Sequence, residues 1–240
     1  MALKRVEIDG KSFEIAYDIV NQGRERQILF LHGWGSNKEV MKSAFANRFA
    51  DFSLIFVDMP GFGKSPNQYV LTTIDYAEII KEFLAKSGLA PFAIFGHSFG
   101  GKVATLLSPS SLCLLSSSGI VEPKPLKVRA KIRVFKLFKK IFGDSFYKLF
   151  ATKDAEGMPK NMYETIKNVV DEDFTPRFKV FGGKALIFWG RDDNATHLES
   201  GAKIASLIQN SKFYDFEGDH YFFLKSATKI ENIFLSSLSN

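Results

Sequence analysis

The sequence predicts an α/β fold in which a mostly parallel, doubly wound sheet of about eight strands carries an inserted helical cap. Short apolar runs, typical of buried strands, alternate with amphipathic segments at helical spacing through most of the 240 residues. This alternation is typical of a parallel sheet with helices on both faces. The alternation stops over residues 121–180, which contain no convincing strand. We therefore assign residues 1–120 and 181–240 to the core and 121–180 to a cap insertion.

The chain opens with a predicted β-hairpin. Polar and apolar residues alternate over 4–8 and again over 12–19, as they do in strands with one buried face. Asp9-Gly10 lies between the two runs, and this dipeptide favours a tight hairpin turn. We expect two antiparallel strands at one edge of the sheet.

The other strands are predicted from continuous apolar runs, which suit strands that are buried on both faces. In chain order these runs are 27–31, 53–57, 92–95, 111–116, 184–189 and 212–216. Helices are predicted where apolar residues recur at helical spacing. These segments are 38–49, 72–86, a short helix that starts after Ser98 and ends before Pro109, 198–208 and 221–238.

Composition narrows the class of protein. A single cysteine excludes an intramolecular disulfide and is typical of a reducing compartment. This residue, Cys113, lies in an apolar run and is expected to be a buried core thiol. The N-terminus lacks the apolar region of a secretory signal, and no run of about 18 apolar residues predicts a membrane span. We expect a cytoplasmic protein.

The pentapeptide Gly96-His97-Ser98-Phe99-Gly100 follows a predicted strand and precedes a predicted helix, which is the context of a nucleophile elbow. Such a turn holds its central residue at a strained, positive φ, and the flanking glycines avoid Cβ clashes. The Ser98 hydroxyl is then presented above the helix N-terminus, where free N–H groups suit a developing oxyanion. The motif predicts Ser98 as a nucleophile.

A serine hydroxyl is a poor nucleophile at neutral pH and needs a base that is oriented by a carboxylate. Among the four histidines, His220 follows a predicted strand in a loop that opens at the same sheet edge as Ser98. The carboxylate is expected in the loop after the preceding strand. Asp193 is our first choice and Asp192 the second, although Asp also favours solvated turns.

We assign different roles to the three other histidines. His32 is expected to be structural, and the side chain of His97 is expected to point away from the nucleophile. His197 is a rival base, although its position predicts the start of a helix. His220 therefore remains the predicted base.

Oxyanion stabilisation needs two convergent backbone donors. One is the N–H of Phe99, the residue after the nucleophile. The other is expected from the loop His32-Gly33-Trp34-Gly35, whose glycines let the backbone pass close to a substrate oxygen. We assign the second donor to the N–H of Trp34.

Together these motifs resemble the α/β-hydrolase fold superfamily over nearly the whole chain. The matching segments, in chain order, are 32–35, 58–65, 96–101, 189–193 and 218–220. The resemblance implies a structural loop over 58–65, a cap that selects the substrate, and an acid four residues after Trp189, which is Asp193. Two features differ from the family pattern: a short helix and connection after the nucleophile, and His197 where a proline is common.

The resemblance implies a carboxylesterase-like serine hydrolase that acts through an acyl-enzyme. No cofactor is implied, since the sequence has neither a cysteine–histidine cluster typical of a metal site nor a glycine-rich phosphate loop. A C–C bond hydrolase acting on a ring-cleavage dienoate stays open as an alternative within the fold. A non-catalytic binding protein also stays open.

The first half of the predicted cap is strongly basic. Residues 124–140 contain eight lysines and arginines and no acid, and Arg129, Arg133, Lys136 and Lys140 share one face of a predicted helix. The face is expected to be solvated. Two alternatives are an acidic acyl carrier protein, as in family members that cleave the methyl ester of a carrier-bound dicarboxylate, and anionic lipids.

The opposite face of this cap helix is apolar and rich in phenylalanine. It predicts a small-molecule ester with an apolar acyl or aromatic group as the substrate. Nucleic acid is not expected, because no recognition motif accompanies the basic charge.

Overall fold

The computed structural model of the protein describes residues 1–121 and 158–238. Within them the chain forms one eight-stranded sheet. Its strands are β1 (Ala2–Ile8), β2 (Lys11–Val20), β3 (Arg26–Leu31), β4 (Phe52–Val57), β5 (Ala93–His97), β6 (Ser111–Leu115), β7 (Lys184–Gly190) and β8 (Ser211–Phe216).

The strand order across the sheet is β1-β2-β4-β3-β5-β6-β7-β8. The β1–β2 hairpin and the β2–β4 pair are antiparallel, and the other pairs are parallel. The order reverses direction between β3 and β5, as in a doubly wound sheet. The predicted fold class is confirmed, including the antiparallel hairpin at one edge, whose turn residues Asp9 and Gly10 both have positive φ.

Seven helices are described. They are α1 (Lys38–Phe45), α2 (Thr73–Lys86), α3 (Phe99–Leu107), α4 (Lys160–Val169), α5 (Thr175–Val180), α6 (Leu198–Leu207) and α7 (Phe223–Leu238). None of these helices is both long and apolar enough to cross a membrane.

The ends of two helices show how local chemistry sets their length. Helix α2 begins at a capping box in which Thr72 and Asp75 exchange hydrogen bonds. Helix α1 ends at Phe45, before the predicted end at residue 49, and Phe49 takes a left-handed φ of 51° that a helix does not allow. The prediction extended α1 to Phe49 because this residue is apolar. In the structure Phe49 lies in the turn after the helix, and its side chain is buried from that position.

Two hydrophobic layers cover the two faces of the sheet. One contains buried residues of α2, α3, α4, α5 and α6, and the other contains those of α1 and α7. The second layer holds 11 of the 25 phenylalanines, and Phe30 stacks on Phe56 with ring centroids 4.8 Å apart. Much of the aromatic content therefore serves the core.

The predicted cap insertion, 121–180, is described only in its second half. Arg129, Arg133, Lys136 and Lys140 lie outside the described residues. The described part contains α4 and α5, and it returns to the core through the hydrogen bond from the Phe174 N–H to the Gly119 carbonyl at 2.8 Å. The division of the chain into core and cap remains a prediction.

Candidate active site

Ser98 lies in a sharp turn between β5 and α3. Its backbone has φ 50° and ψ −116°, outside the regions that L-residues favour. Strand and helix are in close contact, since a Cβ on Gly96 would lie 2.5 Å from the Gly100 carbonyl oxygen. The N–H of Ser98 donates to the Leu115 carbonyl of β6 at 3.1 Å. The turn is strained and fixed on both sides, which is the geometry of a nucleophile elbow.

His220 and Asp193 are in direct contact, although 27 residues separate them. The distance between His220 Nδ1 and Asp193 Oδ2 is 2.8 Å. Because a carboxylate oxygen only accepts, Nδ1 carries the proton and Nε2 keeps its lone pair. Asp193 is buried, whereas Asp192 is exposed.

The Asp193 carboxylate is held in its ionised form. Its Oδ1 accepts hydrogen bonds from the N–H groups of Ala195 and Thr196 at 2.8 and 2.9 Å. Burial raises the pKa of this carboxyl, but the hydrogen bonds from His220 and from the Thr196 N–H outweigh burial and hold the pKa below its usual 3.8. A charged Asp193 is therefore available to stabilise an imidazolium at His220.

Thr196 is a site residue that the sequence analysis missed. Its hydroxyl lies 3.0 Å from Asp193 Oδ2, 3.2 Å from the Ser116 carbonyl oxygen and 3.4 Å from His220 Nδ1. The available signal was the spacing Asp193-x-x-Thr196, because Asp side chains commonly bond to the backbone two or three residues ahead. Thr196 restrains the orientation of the acid.

His97 connects the elbow to the loop of His220. Its Nε2–H donates to the backbone carbonyl of His220 at 3.0 Å, and the two imidazole rings lie 4.6 Å apart. Burial, together with the charge that His220 can carry, lowers the pKa of His97 to about 3, so its ring is neutral. Its Nδ1 is buried and has no partner in the described part of the chain. The side chain thus points to His220, and Ser98 follows it directly in sequence.

No hydrogen bond joins Ser98 Oγ to His220 among the described side-chain contacts. In enzymes without a bound substrate, catalytic hydrogen bonds are often long and close only in the complex. The structure therefore brings Asp193 and His220 together and places the Ser98 elbow beside His97. The hydrogen bond between Ser98 Oγ and His220 is not formed among the described contacts.

The two predicted oxyanion donors lie near Ser98: Phe99 follows it in sequence, and a Cβ on Gly33, the residue before Trp34, would lie 3.1 Å from the Ser98 Cβ. Neither Trp34 nor Phe99 donates its backbone N–H to another described residue. Their rings are packed at 5.6 Å, and Gly35 adopts a positive φ of 71° that turns the loop. Both residues line the same cavity as Ser98.

His32 and the loop over 58–65, which lie near this site, are held in place by buried hydrogen bonds. His32 is fully buried, with Nδ1 2.8 Å from the Gly33 carbonyl oxygen and Nε2 accepting from the Met59 N–H at 3.0 Å. Burial lowers its pKa to about 4, so it is a neutral structural residue. Asp58 accepts from the Lys38 N–H and ammonium at 2.7 and 3.1 Å, which fixes the start of the loop.

A cavity of about 440 Å³ opens at Ser98. Its apolar lining includes Ile120, Ile166 and Val169, and the polar residues Ser118 and Thr196 also line it. His197, the rival base, lies at the rim directly before α6. The described residues include no group of three or more His, Cys, Asp or Glu side chains that could hold a metal ion. Apolar side chains therefore form much of the lining beside Ser98.

The model of the alpha/beta hydrolase fold family matches residues 27–111. The chain is 38% identical over 81 residues to the pimeloyl-[acyl-carrier protein] methyl ester esterase of Edwardsiella ictaluri. That match covers 34% of this chain and 30% of the esterase's own length.

Two further proteins match over most of the chain. The 2-hydroxy-6-oxononadienedioate/2-hydroxy-6-oxononatrienedioate hydrolase of Escherichia coli K12 is 26% identical over an alignment of 250 positions, which covers 88% of this chain and 85% of that protein. A thermophilic esterase from Thermogutta terrifontis superposes with a TM-score of 0.74 at 16% identity, over 100% of this chain and 98% of the esterase. The structural match concerns the fold.

Proposed function

Because this chain has the α/β-hydrolase fold, we propose that it is a serine hydrolase that cleaves a carboxylic ester with an apolar acyl or aromatic group. The observation that carries the proposal is the His220–Asp193 hydrogen bond of 2.8 Å beside the strained turn at Ser98. An imidazole oriented by a buried carboxylate is the base that a serine nucleophile needs. A histidine–aspartate pair can also be purely structural, and the elbow and the cavity at Ser98 favour the catalytic role here.

In the proposed reaction Ser98 Oγ attacks the ester carbonyl while His220 Nε2 takes the hydroxyl proton. Asp193 keeps Nδ1 protonated and stabilises the imidazolium. The N–H groups of Trp34 and Phe99 hold the negative charge on the carbonyl oxygen. His220 then gives its proton to the leaving alcohol, and water, activated by His220, releases the acid from Ser98.

A fluorophosphonate probe tests the nucleophile, since it labels a serine that is activated by a neighbouring base. We expect labelling of the wild type and none of the Ser98→Ala variant. Ser118→Ala is the matched control, because Ser118 lines the same cavity without an elbow, and this variant should still be labelled. A folded wild-type protein that the probe does not label would favour a binding protein over a hydrolase.

A second candidate is an ester that is bound to an acyl carrier protein. The local match to a pimeloyl-[acyl-carrier protein] methyl ester esterase and the basic residues 124–140 favour it. Such a partner is acidic, so docking on Arg129 and Arg133 would be screened by salt. It also requires the cytoplasmic location that the sequence predicts.

Salt dependence separates this candidate from a free small-molecule ester. For a carrier-bound ester we expect kcat/KM to fall steeply with added salt, and to fall at low salt in the variant Arg129→Glu with Arg133→Glu. Hydrolysis of a small p-nitrophenyl ester by the same variant is the control and should not change. Salt-independent turnover of the carrier-bound ester would exclude docking through this face.

The C–C bond hydrolase alternative is favoured by the match that covers 88% of the chain. It uses the same fold on a dienoate instead of an ester. A series of p-nitrophenyl esters and a ring-cleavage dienoate, compared by kcat/KM, decides between them. Faster cleavage of the dienoate than of every ester would replace the esterase proposal.

A further inference from the structure

Lys102 is a buried cation close to the proposed nucleophile. It lies in the first turns of α3, and only 1% of its surface is exposed. Burial lowers its pKa, against the opposing effect of Glu172. Removing an ammonium group from water is costly unless it is paired and hydrogen-bonded. The contacts that compensate this cost therefore indicate what the residue holds in place.

The partners of Lys102 lie at the last residue of α4 and in the segment that follows it, except for one ring on its own helix. Its ammonium donates to the carbonyl of Val169, the last residue of α4, and lies 3.4 Å from Glu172 Oε2. It also lies 5.1 Å from the ring centre of Phe174 and 5.9 Å from that of Phe99. The C-terminal end of a helix carries a partial negative charge, so the cation suits this position. Lys102 thus joins α4 to α3.

The two helices joined in this way both contribute residues to the lining of the cavity. Helix α3 follows Ser98 directly and begins with Phe99, while α4 contributes Ile166 and Val169 to the lining. A shift of the C-terminal end of α4 away from α3 would therefore widen the space beside Ser98. Such a shift of α4 is enough to change which acyl groups fit beside Ser98.

The other contacts of α4 lie at different points along the helix. The Thr165 hydroxyl accepts from the Leu71 N–H at 3.0 Å, and the Asn161 amide donates to the Asn67 carbonyl at 3.0 Å. These bonds attach α4 to the segment before α2. The Asn168 amide, one residue before Val169, also donates to the Leu71 carbonyl at 3.3 Å. The hydrogen bond from α3 to the C-terminal end of α4 comes from Lys102, so its loss leaves α4 anchored to the segment before α2.

We propose that Lys102 is a positioning residue for acyl selectivity, whose ammonium holds the C-terminal end of α4 against α3 and so sets the width of the cavity beside Ser98. The inference rests on the proposed function, because it assigns this cavity to the acyl group. Lys102 itself does not line the cavity, and it acts through Ile166 and Val169.

The test replaces Lys102 by methionine, which keeps the length of the side chain and removes the charge. Glu172 is left with the hydrogen bond from the Thr73 hydroxyl and with partial access to water. The measured quantity is the ratio of kcat/KM for p-nitrophenyl pivalate to kcat/KM for p-nitrophenyl acetate. We expect this ratio to rise about tenfold in Lys102→Met, as one ill-fitting methyl group commonly changes discrimination by that amount.

Lys167→Met is the matched control. Lys167 lies on the same helix, but it is half-exposed and pairs with Glu164 one turn away. Its replacement removes one lysine from α4 without touching α3, and the ratio should stay that of the wild type. If Lys102 were merely structural, its replacement would lower kcat/KM for the pivalate and for the acetate ester alike and leave their ratio unchanged. This outcome would overturn the proposal.

Hydrogen exchange without substrate separates failure of this inference from failure of the proposed function. We expect the amides at the C-terminal end of α4 to exchange about tenfold faster in Lys102→Met than in the wild type, and those of α2 to be unaffected. Glu172→Gln, which keeps an oxygen acceptor for Lys102, should change exchange in the same direction by less. Unchanged exchange with unchanged selectivity would refute the attachment, whether or not esters are the substrates.

Discussion

At the scale of single residues, His97 positions the loop that carries His220. It is neutral, buried and bound through Nε2–H to the backbone carbonyl of His220. Replacing His97 by leucine would leave that carbonyl unpaired and free the loop that carries the proposed base. We expect kcat/KM for esters to fall by about 10- to 100-fold, as small misplacements of a catalytic group do.

His97→Gln is the companion variant, because its side-chain amide keeps an N–H donor. It should recover part of the activity lost in His97→Leu, with circular dichroism confirming that both variants fold. Equal activity of His97→Leu and the wild type would mean that the bond to the His220 carbonyl positions nothing.

Asp193 links the site to stability at low pH. Its folded-state pKa is below the usual 3.8, so its contribution to the free energy of unfolding is complete above that value and is lost as the pH falls through the folded-state pKa. Asp193→Asn removes the titrating group. Between neutral pH and about pH 3, urea unfolding should therefore show a smaller loss of stability in this variant than in the wild type.

Asp192→Asn provides the control for this pH dependence. It removes the same charge from the neighbouring, exposed position and should leave the pH profile of unfolding like that of the wild type. A profile of Asp193→Asn that follows the wild type throughout would show that the hydrogen bonds to the Asp193 carboxylate add no stability.

At the scale of the secondary-structure elements, the elbow depends on how closely α3 approaches β3. A Cβ on Gly100 would lie 2.5 Å from the carbonyl oxygens of Leu31 and His32. Backbone atoms cannot yield as a flexible side chain can, so Gly100→Ala has to separate the helix from the strand. We expect the free energy of unfolding to fall by about 1–3 kcal/mol, the usual cost of overpacking, as measured by urea denaturation.

Gly182→Ala is the matched substitution in open space. A Cβ there meets nothing within 4 Å, and its backbone does not have a positive φ. It should leave stability within about 0.5 kcal/mol of the wild type, as exposed substitutions usually do. Similar losses for Gly100→Ala and Gly182→Ala would contradict the close approach of α3 to β3.

The strands could be predicted from the sequence, whereas the contacts between distant elements could not. Continuous apolar runs and the Asp9-Gly10 turn predicted the eight strands, because burial on one or both faces imposes its own pattern on the chain. The roles of Lys102 and Thr196 were not predictable in this way. Lys102 pairs with Glu172, 70 residues away, and Thr196 contacts the Ser116 carbonyl, 80 residues away. No local pattern marks such partners before the fold brings them together.

At the scale of the whole molecule, the site exists because parallel strands end at one edge of the sheet. Ser98 follows β5, Asp193 follows β7 and His220 follows β8, so their spacing is set by strand order rather than by distance along the chain. The site should therefore be lost only when the sheet itself opens. A reporter at the centre of the sheet can measure that event.

Cys113 provides this reporter, since it is the single cysteine of the chain and lies on β6 between β5 and β7. It is fully buried, and burial raises its thiol pKa well above the usual value, which makes the reactive thiolate scarce. We expect a thiol reagent to label the native protein no faster than the sheet unfolds. Labelling should accelerate with urea along the slope that is found for global unfolding by circular dichroism. Rapid labelling in the absence of urea would mean that the centre of the sheet opens locally, and the three loops would then not be held by one cooperative unit.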